Sequence, residues 1–243
     1  MPPAPKRAPP PAEYPIGSVD AHPPYRTDDY VFTRKRAPLE ALHVIPQTET
    51  ELAGPAFGAA TVGPLDHDLT RQHDGEPIGE RILVTGRVLD EDGRGVPDTL
   101  VEVWQANSAG RYRHEVDEHP APLDPNFTGA GRFVTDETGE YQFVTVKPGP
   151  YPVVGLDNVW RASHIHLSVF GPSFLSRLVT QMYFPGDPLL GRDTIYNTAP
   201  ASSRHTMVAA LDWSRTRSEW AIAYRFDLVL RGRRRTHFED AHA

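Results

Sequence analysis

Trp160-Arg161-Ala162-Ser163-His164-Ile165-His166-Leu167-Ser168-Val169-Phe170 decides how the rest of the chain is read. Its alternation is that of a half-buried strand: Ile165, Leu167 and Val169 fall on one face, His164, His166 and Ser168 on the other. Residues i and i+2 of a strand stand roughly 6.5–7 Å apart and point the same way. Two imidazoles so placed can close on one metal ion. A lone His-x-His fits two ordinary half-buried polar residues equally well. The balance shifts with Arg161 upstream and with two tyrosine-bearing segments, Gly110-Arg111-Tyr112-Arg113-His114 and Lys147-Pro148-Gly149-Pro150-Tyr151-Pro152. The three segments read as converging on one metal ion.

Outward from this strand, short apolar runs alternate with Gly/Pro turns. Strands are expected over 81–90, 100–105, 131–136, 140–146 and 178–184. A last long strand is expected over 220–231, where Ile222, Tyr224, Phe226, Leu228 and Leu230 alternate strictly. Residues 131–146 read as a hairpin about Glu137-Thr138-Gly139, and one helix is expected near 202–211. With 25 prolines and 19 glycines, short strands are favoured over long helices. The expected fold is all-β: an antiparallel β-sandwich core with long functional loops, an extended N-terminal arm and little helix. Residues 1–15 read as a disordered proline-rich tail, 16–79 as an extended arm packing on the core or a partner chain, and 80–243 as the catalytic sandwich. The connections 107–131 and 147–161 are too long for hairpin turns, and such segments in a compact domain are usually functional or disordered. They hold Tyr112 and Tyr151.

Composition removes whole classes of function. The 243 residues carry a net charge of −7, which argues against nucleic acid as the main partner. The chain has no cysteine, so disulfides, thiolate zinc sites, iron–sulfur clusters and thiol nucleophiles are excluded. No apolar run approaches the roughly 18 residues of a membrane span, and no apolar segment follows Met1-Pro2-Pro3-Ala4 as a secretory signal would. A cytoplasmic location is the expectation. Asp66-His67-Asp68 fits turn and capping bonds better than metal ligation, and the basic run Arg231-Gly232-Arg233-Arg234-Arg235 reads as solvated or ion-paired.

Any metal must therefore be held by His, Tyr, Asp or Glu. A phenol with a reference pKa near 10 ligates only where a strong Lewis acid holds the phenolate. Ferric iron does so, and anionic phenolates favour Fe(III) over Fe(II), unlike the ferrous triad of two His and one carboxylate. Two rivals stay open. A copper or zinc hydrolytic site fits paired tyrosinates less well, and a non-enzymatic binding module predicts exposed aromatics on a strand face.

Val101-Glu102-Val103-Trp104-Gln105-Ala106-Asn107, Gly110 to His114, Leu123-Asp124-Pro125-Asn126-Phe127, Lys147 to Pro152, Trp160 to His166 and Thr180-Gln181-Met182-Tyr183-Phe184 together resemble the intradiol ring-cleavage dioxygenases. Tyr224-Arg225-Phe226-Asp227 and Thr236-His237-Phe238-Glu239 resemble, more narrowly, the metal-bearing β chains of the family's protocatechuate branch. That resemblance implies one non-haem Fe(III) per chain, held by Tyr112, Tyr151, His164 and His166, with Tyr151 and His166 axial. It implies that Arg161 lies beside the ring-cleavage position with Gln181 near it, and that Tyr151 takes a proton from the catechol. Tyr25 would meet the substrate carboxylate, and Val153 and Ile195 would line the substrate pocket. Val153 stands where the β chains often carry Trp. A catecholic substrate, O2 and a homologous α chain in a larger hetero-oligomer are the implied partners. Other catechols or hydroxyquinol are the alternative substrates.

Overall fold

The computed structural model describes residues 62–153, 155–170, 178–230, 232 and 234–238. They form β1 (Arg81–Leu89), β2 (Leu100–Trp104), β3 (Ala130–Val134), β4 (Glu140–Val146), β5 (Tyr151–Pro152), β6 (Trp160–Arg161), β7 (His164–Phe170), β8 (Leu178–Tyr183), helix α1 (Thr194–Thr198), β9 (Ala210–Leu211), β10 (Ile222–Arg225) and β11 (Leu228–Val229). The expected tail and most of the expected arm, with Tyr25, lie outside the described residues.

Two sheets share one core. In the first, β1 lies between antiparallel β4 and the parallel strands β10 and β11, and β9 extends β10. The second runs β3-β2-β7-β8, antiparallel throughout. Ile82, Val84, Phe143, Tyr224 and Leu228 of the first sheet meet Val101, Val103, Ile165, Leu167 and Val169 of the second in a single buried cluster. This is a β-sandwich with almost no helix, and the apolar face expected for the histidine strand is the face it buries. Leu69, ahead of β1, joins the same cluster.

Four local expectations change. The 131–146 hairpin is not one: β3 pairs with β2 and β4 with β1, so the turn at Glu137-Thr138-Gly139 carries the chain from one sheet to the other. The turn itself closes as expected, since the Asp136 carboxylate accepts from the amides of Thr138 and Glu140. The long last strand is two short ones, broken at Phe226-Asp227, where the Arg87 amide donates to the Asp227 side chain. These two strands run parallel to β1, an exception to the antiparallel pattern. The helix near 202–211 is a single 3-10 turn, Arg204–Met207, because Val208 bridges to Tyr183 and pulls the chain extended. The α-helix is α1, which starts ten residues ahead of that turn, with Asp193 as its N-cap. Among the described residues, no helix is long and apolar enough to cross a membrane.

Candidate metal centre

The polar face of β7 looks away from the core. Cross-strand register puts Trp104 on one side of His166 and Gln181 on the other, with Tyr183 beside His164. Trp104 and the His166 ring are stacked, with centroids 4.7 Å apart and planes 5° apart.

His164 Nδ1 lies 2.6 Å from the Ala162 carbonyl oxygen. A carbonyl only accepts, so the proton sits on Nδ1 and the Nε2 lone pair is left facing outward. That nitrogen is 3.2 Å from His166 Nε2. Two nitrogens each about 2.1 Å from one ion, at right angles, stand about 3 Å apart, so the spacing fits two imidazoles on a shared cation. Burial, and secondly the charge of Arg161, push His164 well below the usual imidazole value, against a smaller upward pull from the Ala162 bond. His164 is thus neutral, the form a metal ligand needs.

Two glycines bring the tyrosine loops to this face. Gly110 sits at φ +81°, and a Cβ there would meet the Pro150 carbonyl oxygen at 2.4 Å. A Cβ on Gly149 would meet the Ser108 carbonyl oxygen at 2.4 Å. The loops can pack backbone to backbone only because both positions lack a side chain. Asn107 ties them further: its carbonyl accepts from the Gly149 amide, and its side chain accepts from Ala109 and Arg111. The Tyr112 amide donates to Asp117 at 2.7 Å. As a result the Tyr112 and Tyr151 rings meet edge to face at 5.6 Å, Tyr151 lies 5.7 Å from the His164 ring and Tyr112 6.4 Å from that of His166. The Tyr112 hydroxyl is buried. Among the described residues, no group of three His, Cys, Asp or Glu side chains could hold a metal. Two imidazoles with two phenols nearby form a donor set that could hold one, of a kind suited to Fe(III).

Arg161 pairs with Tyr151 across the β5–β6 ribbon. Its guanidinium is almost wholly buried, donating to the Gln181 side chain, to the Tyr183 hydroxyl at 3.2 Å and to Asp193 at 3.0 Å. Four candidate ligands, Arg161 and Gln181 are therefore neighbours. Val153 is buried two residues beyond Tyr151, its amide donating to the Val159 carbonyl, and Ile195 lies on α1. Asp68 accepts from Thr70 nearby, and Asp66 from the Gly63 amide and, across 66 residues, from Arg132 of β3. Sequence reasoning assigned no role to Asp193, Tyr183 or Trp104. An Asp before a short run is a capping signal, but nothing in its spacing announces a partner at Arg161.

Comparison with known proteins shows the family. Residues 52–232 match the family described as Dioxygenase, and residues 17–48 match the protocatechuate 3,4-dioxygenase beta subunit N-terminal family. The chain is 52% identical over 221 residues to the protocatechuate 3,4-dioxygenase beta chain of Burkholderia cepacia, covering 90% of this chain and 94% of that one. It is 30% identical to the alpha chain of Pseudomonas putida, over 82% of this chain and 98% of the other. The solved structure of 3-chlorocatechol 1,2-dioxygenase from Rhodococcus opacus 1CP shares the fold, with TM-score 0.53 at 23% identity over 73% of this chain and 70% of that one. The chain belongs to the intradiol ring-cleavage dioxygenases, in the group of the protocatechuate 3,4-dioxygenase beta chains.

Proposed function

We propose that this chain is the iron-bearing β chain of an enzyme that opens the ring of protocatechuate (3,4-dihydroxybenzoate) between its two hydroxylated carbons, using O2 and yielding 3-carboxy-cis,cis-muconate. The carrying observation is the 3.2 Å approach of His164 Nε2 and His166 Nε2 beside the rings of Tyr112 and Tyr151. Those four side chains would hold Fe(III). When bound, the ferric ion would supply the Lewis acidity and electron demand that make a chelated catecholate reactive toward O2.

The chain's own residues do the rest. Tyr151, on a ribbon strand that is only partly buried, is the group that accepts a catechol proton. Arg161 stays protonated at any working pH, and its guanidinium, already fixed by hydrogen bonds, meets charge developing on the ring without reorganising. Gln181 orients that guanidinium from the neighbouring strand. Val153 and Ile195 would face the substrate ring, and Val153 in place of an indole widens one side enough for ring substituents. Tyr25 would donate one hydrogen bond to the substrate carboxylate. One neutral bond is worth only about 0.5–1.5 kcal/mol net, so a cation from a homologous α chain completes the anchor. The assembly is a cytoplasmic hetero-oligomer.

The test is to express the chain alone and with its α partner, then measure colour, iron and products. A red-brown protein with one iron per β chain, O2-dependent ring opening, and higher kcat/KM for protocatechuate in the paired preparation are expected. A colourless active protein carrying zinc defeats the iron assignment. Equal protocatechuate activity with and without the partner, with Tyr25→Phe silent, defeats the α-chain anchor.

A further inference from the structure

We propose that Asp193 is a positioning residue for ring cleavage, holding the Arg161 guanidinium and the backbone that orients His164 in one frame; the role rests on the intradiol reading above. The carboxylate is fully buried. Oδ2 accepts from Arg161 Nε at 3.0 Å and from the Ala162 amide at 2.8 Å. Oδ1 accepts from the Tyr196 amide at 2.9 Å and the Tyr183 hydroxyl at 3.3 Å. Those four donors come from β6, the β6–β7 link, β8 and α1, so one side chain ties together four pieces of the site.

Two consequences follow from the bonding. Arg161 is gripped at Nε by Asp193 and at a terminal nitrogen by Gln181 and Tyr183. A planar guanidinium held at two corners cannot turn in its plane. Ala162 is gripped twice as well, its amide by Asp193 and its carbonyl by His164 Nδ1. A shift of the carboxylate would therefore move the cation and tilt the ligand imidazole together. A cap for α1 alone would not require a carboxylate, since Asn caps equally well.

That difference makes Asp193→Asn the informative variant. It keeps the cap and the shape but loses the charge and one acceptor oxygen. Wild type, Asp193→Asn, Arg161→Gln and the double variant are compared as iron-loaded protein. Asp193→Asn should retain iron, and kcat should fall on the order of 10²-fold, the scale expected for a remote misplacement. KM should change far less. In the Arg161→Gln background the same change should cost at least about tenfold less than in wild type, what remains being the part that acts through His164, because residues acting through one another are not additive. In iron-free protein, the His164 Nδ1 proton should exchange with solvent faster in Asp193→Asn than in wild type, seen by NMR. Multiplicative losses in the two backgrounds, wild-type kcat in Asp193→Asn, or an unchanged exchange rate would each overturn the proposal. If Asp193→Asn does not fold, Tyr183→Phe decides: it removes the hydroxyl bonded to Asp193, Arg161 and Gln181, and kcat should drop about tenfold or more with iron intact. Wild-type turnover in Tyr183→Phe would sink it. Failure of the intradiol reading shows separately, in wild type lacking ferric colour and ring opening.

Discussion

Trp104→Leu tests whether the β2 strand tunes the metal site it never ligates. The indole lies flat on His166, with centroids 4.7 Å apart and planes within 5°, in direct cross-strand register. Leucine keeps an apolar side chain on the strand but cannot stack. Stacked pairs are worth about 0.5–1.5 kcal/mol beyond simple burial. On the iron reading proposed above, that stacking would hold the imidazole in the plane in which it ligates, so its loss should appear in iron affinity rather than in the fold. At 1.4 kcal/mol per tenfold, the dissociation constant for iron should rise about 2- to 12-fold. Chelator competition on the purified protein measures it, with Trp213→Leu as the control, since Trp213 is 71% exposed. The tyrosinate-to-iron absorption band should also broaden as His166 gains freedom. An unchanged affinity and band in Trp104→Leu, or an equal change in the control, would refute the reasoning.

His164→Ala and His166→Ala should each largely abolish iron binding, measured by metal analysis, whereas Tyr151→Phe should keep iron and slow catecholate binding in stopped flow. Phe143→Ala, at a fully buried core position, should lower stability in urea by about 3–5 kcal/mol without touching the candidate ligands. In iron-free protein, His164 is held well below 6.5 by burial and by Arg161, so the unfolded chain binds a proton near 6.5 that the folded chain refuses. Its contribution to stability is therefore complete above that value and is lost as pH falls below it, by at most about 1.4 kcal/mol per unit. The urea midpoint should drop between about pH 7 and 5, and His164→Gln should flatten that slope; an equally steep slope in the variant would assign it elsewhere.

The legible part of the chain was the part governed by period two. Ile165, Leu167 and Val169 alternate, and all three are fully buried in the core. Pairing was less legible, because a turn announces itself locally and its sheet does not. Asp136 and Gly139 close the same turn whether the next strand folds back or crosses to the other sheet. Likewise the alternation from Ile222 to Leu230 runs unbroken through Phe226-Asp227, although the ladder there is replaced by a side-chain bond from Arg87. At the site, the His-x-His spacing with two long tyrosine-bearing loops pointed to a metal, while the assignment of Tyr112, Tyr151, His164 and His166 as its ligands came from resemblance. What unites them is the side-chain-free contact at Gly110 and Gly149, a tertiary fact. Asp193 was invisible because its partners lie 3 to 32 residues away on separate elements.

The parallel pairing of β1 with β10 and β11 has a consequence during synthesis. Ile82 pairs with Ile222 and Val88 with Leu228, a separation of 140 residues in each case. At about 5–20 residues per second, roughly 7–28 seconds pass between the appearance of β1 and that of its neighbour. Antiparallel β4 arrives much sooner and covers only the opposite side. A ribosome halted before Ile222 therefore displays β1 with one backbone edge unpaired, the edge onto which a second nascent chain on the same message can add as a strand.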